Sequence, residues 1–248
     1  MEISGEELSA FFDRQSEGSS FSLSKRELQP VAIFQSIGVR CVTSQLLKEL
    51  GRKERSGPFD WIFSLPRMVI DCLTDDFGAF LDRNYHQHVP ISERLLADAN
   101  HAHHTLYKER YNLWFIFNHR DPTTLEGYEY YARSVERFKK DLQYPDRKLL
   151  LMIGELDLIS DEDFISVCST VDAKSHNAEV LAIRVSAPSP TREISVSLRS
   201  TLEVGQHRLI DYSSRGQMGG IRFEDAFDEF IVKSLVSEYA VLETAASA

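Results

Sequence analysis

The chain has 248 residues, enough to bury a proper core in one large or two small domains, and a single domain is the expectation. Its 28 basic residues against 38 acidic ones leave a formal charge of −10, which argues against non-specific binding to nucleic acid or to an anionic membrane. Cys41, Cys72 and Cys168 lie far apart with no C-x-x-C spacing, so neither a disulfide framework nor a cysteine zinc site is indicated and a reducing cytoplasm fits best.

Residues 1–29 hold one amphipathic turn around Leu8 to Phe12 and then the polar segment SEGSSFSLSKRE, which reads as a flexible N-terminal arm. No secretory leader is visible there, and no stretch approaches the roughly 18 apolar residues of a membrane span. Val31 to Ile37 is a short run of branched and aromatic residues that predicts a strand; Gly38 breaks it, and Val42 to Leu50 repeats apolar residues at helical spacing. Cys41 falls at that strand-to-helix junction, where unpaired N–H groups and the positive end of the helix dipole favour a thiolate. The SGPFDW box follows as a turn, and Pro66 opens a helix predicted to run through MVIDCLTDDFGAFLDR, with Cys72 as a core thiol.

Asn84 to Lys108 reads as irregular and rich in histidine: His86, His88, His101, His103 and His104. Alternating histidines could present nitrogens to one metal, but no H-E-x-x-H motif accompanies them. The expectation is a mobile rim over a site, with no metal and no cofactor assigned. Leu113 to Phe117 predicts a strand buried on both faces and ending at His119; Thr123 to Leu142 predicts a long helix started by Asp121-Pro122. Lys148 to Gly154 is a further apolar strand with Glu155 and Asp157 just past its end, and Ser160 is an N-cap for a helix that carries Cys168 in the core. EVLAIRVS is a fourth strand and PTREISVSLRS a fifth or an extended flap. HRLIDYSS is another strand, and an amphipathic helix runs from Arg222 to Leu242. The body spans 30–243, with a frayed tail at 244–248.

Alternating strands and helices predict an α/β domain whose mostly parallel central sheet is flanked by helices, with ligands bound beyond the carboxyl ends of the strands. That edge would gather Cys41, His119 and Asp121, and the pair Glu155 and Asp157. Acyl transfer through a thiolate needs a base near the sulfur, a group that holds the imidazole tautomer, and donors for the oxyanion. Cys41 supplies the thiolate and His119 the base, and the acid that holds the imidazole is Asp121 or Asp157. The Cys41 N–H is one oxyanion donor and Gln35 a second, with Ser36 nearby. Asp60 and Trp61 line the cleft, although PFDW reads equally as a buried turn whose carboxylate caps a helix.

SIGVRCVTSQLLKELG, the SGPFDW box and FNHRD together resemble a bacterial domain-of-unknown-function family described as papain-like cysteine peptidases. The resemblance covers roughly residues 30 to 155, and Arg120 departs from it by separating His119 from Asp121. It implies a cysteine-dependent hydrolase acting on a peptide, amide or acyl substrate through Cys41 and His119. It also implies a different packing, a cysteine helix set against an antiparallel sheet that bears the histidine. Two other classes stay open. One is a non-catalytic ligand- or glycan-binding accessory domain that uses the histidines and aromatics. The other is an α/β transferase with an anion site at the N-terminus of the first helix.

Overall fold

The computed structural model describes residues 30–186 and 198–241. The predicted arm at 1–29, the tail at 244–248 and most of the PTREISVSLRS segment lie outside the described residues. The chain begins with strand β1 (Ile33–Val39) and helix α1 (Cys41–Glu49), followed by α2 (Pro66–Thr74) and the short α3 (Gly78–Leu81). A small hairpin, β2 (His86–His88) and β3 (Ala102–His104), precedes α4 (Thr105–Tyr111) and α5 (Leu125–Gln143). Then come β4 (Lys148–Glu155), α6 (Asp161–Lys174), β5 (Ala178–Ser186), β6 (Leu198–Val204), β7 (His207–Ser213) and α7 (Ala226–Val241).

Five strands form one mixed sheet in the order β1-β4-β5-β7-β6. The first four are mutually parallel, and β6 alone runs antiparallel, joined to β7 through Gly205 and Gln206. Gly205 takes φ 60°, the left-handed value that a two-residue hairpin turn requires. The fold is therefore α/β, and the helix that begins at Cys41 lies on a parallel sheet, not on the antiparallel one of the alternative packing. No described helix is long and apolar enough to cross a membrane.

The sheet is buried on both sides, so its central strands are apolar without alternation while their neighbours divide between two cores. Leu150, Met152, Val180, Ala182 and Leu209 point to the core filled by α2, α5 and α6. Leu149, Leu151, Ile153, Leu181 and Ile183 point the other way, onto Val42, Leu46 and Leu47 of α1 and Ile231, Val232 and Leu235 of α7. The predicted N-cap holds, since Ser160 Oγ accepts the Asp163 N–H at 3.0 Å. Cys72 and Cys168 are buried in the first of these cores.

Three expectations are corrected. Leu113 to Phe117 is not a sheet strand: Asn112 and Phe115 adopt positive φ of 53° and 51°, and only Phe117 makes an isolated bridge, to Ala102. Ile116 and Phe117 reach the core from a loop, which gives an apolar run without extended pairing. The helix from Pro66 stops at Thr74, because Asp76 and Phe77 turn into the left-handed region before α3. The histidine segment is not irregular throughout: its ends pair as β2 and β3, with His86 opposite His104, and His103 and His104 are buried.

β1 continues through Gly38, where the register with β4 shifts between Ser36 and Val39. Gly38 has φ 91°, and a Cβ there would lie 1.8 Å from the Ser64 Oγ. Gly38→Ala is expected to cost about 2 kcal/mol in a denaturant melt, from left-handed strain and the clash together. Unchanged stability would mean that the end of β1 is not held as described.

Candidate functional site

The parallel strands end on one edge, and Cys41 follows the end of β1 as the first residue of α1, with Arg40 as its N-cap. Thr43 fastens that turn, its hydroxyl donating to the Gly38 carbonyl at 3.2 Å and accepting the Ile153 N–H at 3.2 Å. The Val42 N–H donates to the Gly220 carbonyl at 3.1 Å, so the donor an anion would need is taken by a loop of the chain itself. Arg40 turns outward to Glu155 at the end of β4, with contacts of 2.8 and 2.9 Å.

Cys41 is only 1% exposed. Burial pushes its thiol up to about 11, against the lowering influence of the Asn118 side chain and Arg40. The helix N-terminus does not produce the thiolate that position alone predicts, because the dipole contributes only about 0.3–1 kcal/mol at an ordinary site and removal from water opposes it. Burial likewise pushes Cys168 up to about 12 and raises Cys72 further still, so Cys41 remains the most acidic of the three.

Asn118 is the residue that sequence reading missed. Its Oδ1 accepts the backbone N–H and the side-chain amide of Asn100, each at 3.0 Å. A backbone N–H can only donate, so the carboxamide is fixed with its NH2 facing the other way. That NH2 lies 3.2 Å from His119 Nε2, and the same side chain acts to lower the pKa of the Cys41 thiol. Nε2 is therefore the acceptor, and His119 carries its proton on Nδ1. Partial burial and the nearby His101 lower the His119 pKa, so the ring is neutral at pH 7. Trp61 packs against it edge-on, with ring centroids 5.8 Å apart.

The other residues singled out from sequence take separate places. Asp121 bonds His88 Nδ1 and accepts from the Thr123 N–H at 2.9 Å and hydroxyl at 2.7 Å. Burial alone would raise its pKa, but Thr123 and His88 together hold it below the usual carboxylate range. Asp157 is exposed in the turn after β4. Neither carboxylate is a hydrogen-bond partner of His119; Asn118 is. Gln35 sits six positions before Cys41, its amide donating to Asp141 at 2.6 Å, which removes it as an oxyanion donor. Ser36 is buried, its hydroxyl accepting the Gly38 N–H at 3.3 Å.

Within PFDW, Phe59 packs on Phe77 and Phe138 at 5.6 and 5.8 Å. Asp60 is fully buried and accepts from Lys53 Nζ at 2.6 Å and from the Gly57 N–H at 2.5 Å. Burial raises its pKa while Lys53 opposes the rise. The box is thus a buried turn that presents one residue, Trp61, to the histidine.

Among the described residues no three His, Cys, Asp or Glu side chains converge on a point where they could hold a metal ion. His86 and His104 donate from Nε2 to the Phe80 and Ala79 carbonyls, each at 3.0 Å. His104 stacks on Tyr107 at 4.2 Å. No protein-family model matches the chain, and no curated protein or solved structure matches it either.

Two outcomes are expected from titration. Iodoacetamide should label Cys41 before the other thiols but slowly at pH 7.5, with a rate that climbs toward an apparent pKa near about 11. A rate already at its plateau at pH 7.5 would contradict the burial described. Burial also pushes His104 down to about 4 from an ordinary 6.5. The unfolded chain takes up that proton first, so stability is full above about pH 6.5 and falls by about 3 kcal/mol as pH drops toward about 4. Urea melts across that range should show the slope, and His104→Gln should flatten it.

Proposed function

We propose that the protein is a cysteine-dependent hydrolase or acyltransferase in which Cys41 is the nucleophile and His119 the base. The observation that carries this reading is the Asn118 carboxamide, which hydrogen-bonds the His119 imidazole and also lowers the pKa of the Cys41 thiol. Cys41 stands just beyond the end of β1, at the sheet edge where open α/β folds bind ligands.

A neutral thiol beside a neutral imidazole sets the order of events. As the sulfur attacks a carbonyl carbon, its proton passes to His119 Nε2, for which Asn118 must release that nitrogen. The Cys41 N–H donates to the oxygen that gains charge. Collapse breaks the carbon–nitrogen or carbon–oxygen bond, the proton on Nε2 moves to the leaving group, and a thioester is left on Cys41. Water or a second acceptor, deprotonated by His119, then releases the acyl group. Asn118 is a positioning residue, since it acts through the ring and the thiol. Trp61 keeps the ring from turning away. The anion-site transferase loses ground because the Val42 N–H already has an acceptor.

A panel of peptide amides, esters and thioesters tests the assignment. Cys41→Ala and His119→Ala should each lower kcat by about a hundredfold or more, and the double variant should be scarcely worse than either single one. Asn118→Ala should cost about tenfold and should shift the acid limb of the pH profile. Cys41→Ala and His119→Ala should each melt like the parent, since His119 is exposed and Ala is tolerated at the first helical position. Losses that multiply, or turnover that survives Cys41→Ala, would point instead to a binding domain.

A further inference from the structure

Beyond the ends of β4, β5 and β7 lies a cavity of about 480 Å³, within the range of small-ligand sites. Leu156, Val185 and Met218 give it an apolar wall, and among the described residues the charged groups that line it are two carboxylates, Glu155 and Asp157. Glu155 already holds Arg40. Asp157 is exposed and forms no ion pair among the described residues. One rim of the cavity is the loop after β7, fixed where the Arg215 and Gly216 N–H groups donate to buried Asp228 at 2.9 and 2.8 Å.

Two connections join this cavity to Cys41. Arg40, the residue before the cysteine, is the partner of Glu155, and the same loop after β7 lends its Gly220 carbonyl to the first turn of α1. With neighbouring strands about 4.8 Å apart, the end of β5 lies roughly 10 Å from the end of β1. That is within reach of one substrate molecule that spans both places.

We propose that the cavity is a subsite for a cationic aliphatic group, a lysine- or arginine-like side chain carried by the substrate. Such a side chain has an apolar stem to lie along Leu156, Val185 and Met218 and a charged head to meet Asp157. An acidic group would face the unpaired Asp157 carboxylate, and a purely apolar one would make no use of it. The subsite takes its purpose from the reading of Cys41 as nucleophile, but its binding does not depend on that chemistry.

Titration of the full chain with Nα-acetyl-arginine amide, its norleucine counterpart and its glutamate counterpart tests the subsite. The arginine amide should bind about fivefold tighter than the norleucine amide at low salt, and the preference should shrink as salt is added. The glutamate amide should bind weakest. Asp157→Asn should remove most of the preference, whereas Cys41→Ala should leave it intact. Equal binding of the arginine and norleucine amides, or a preference that survives Asp157→Asn, would overturn the subsite. Cation binding by a protein whose turnover ignores Cys41→Ala would keep the subsite and sink the thiol chemistry. Turnover that needs Cys41 but is blind to substrate charge would do the reverse.

Discussion

Burial of a parallel sheet on both faces is the constraint from which the rest follows. Every residue of β4 from Lys148 to Gly154 is buried, and successive side chains enter opposite cores. A register slip of one residue would exchange the two cores, so the pairing of β1, β4, β5 and β7 is held tightly. With the register fixed, the carboxyl ends of four strands align. There polar groups such as Arg40, Glu155, Asp157 and Ser214 gather, because the strand bodies leave them no room. Even Lys148, buried at the start of β4, is accommodated only by donating to the carbonyls of Tyr144, Asp146 and His176.

At this edge two effects oppose each other on the Cys41 sulfur. The helix end favours the anion, and burial favours the neutral thiol. The rise from 9.0 to about 11 shows that burial prevails, by a margin of about 3 kcal/mol. A thiol kept neutral is also poorly reactive toward oxidants, since the thiolate is the species they attack. Chemistry at such a sulfur depends on a base that accepts the proton as the bond forms, and a neutral His119 is suited to that. The depressed His119 pKa and the raised Cys41 pKa thus leave both groups uncharged near neutral pH, and the Asn118 side chain acts on each.

Much of the fold was legible in the sequence because its signals are local. The apolar runs of β4 and β5, the junction at Cys41 and the Ser160 cap each declare themselves within a few residues. Leu113 to Phe117 misled for the converse reason: an apolar run shows that side chains are buried, not that the backbone is extended, and the breaks at Asn112 and Phe115 depend on tertiary packing. Expecting a strand there put His119 at a sheet end and turned attention to Asp121. Asn118 carried one signal, a polar residue between buried Phe117 and His119. Its role depends on Asn100, whose φ of 59° aims a backbone N–H at it, and no sequence pattern displays that. The cavity beside Asp157 joins β4, β5 and the loop after β7, so it too appears only when the strands are assembled.

The account stands or falls on the state of one imidazole. Nitrogen-15 chemical shifts of His119, recorded near neutral pH in the intact protein, report which ring nitrogen carries the proton. With Asn118 donating to Nε2, the ring should be neutral with its proton on Nδ1, and Asn118→Ala should release it to the ordinary mixture of tautomers. A ring protonated on Nε2, or one indifferent to Asn118→Ala, would contradict the proposed link between Cys41 and His119.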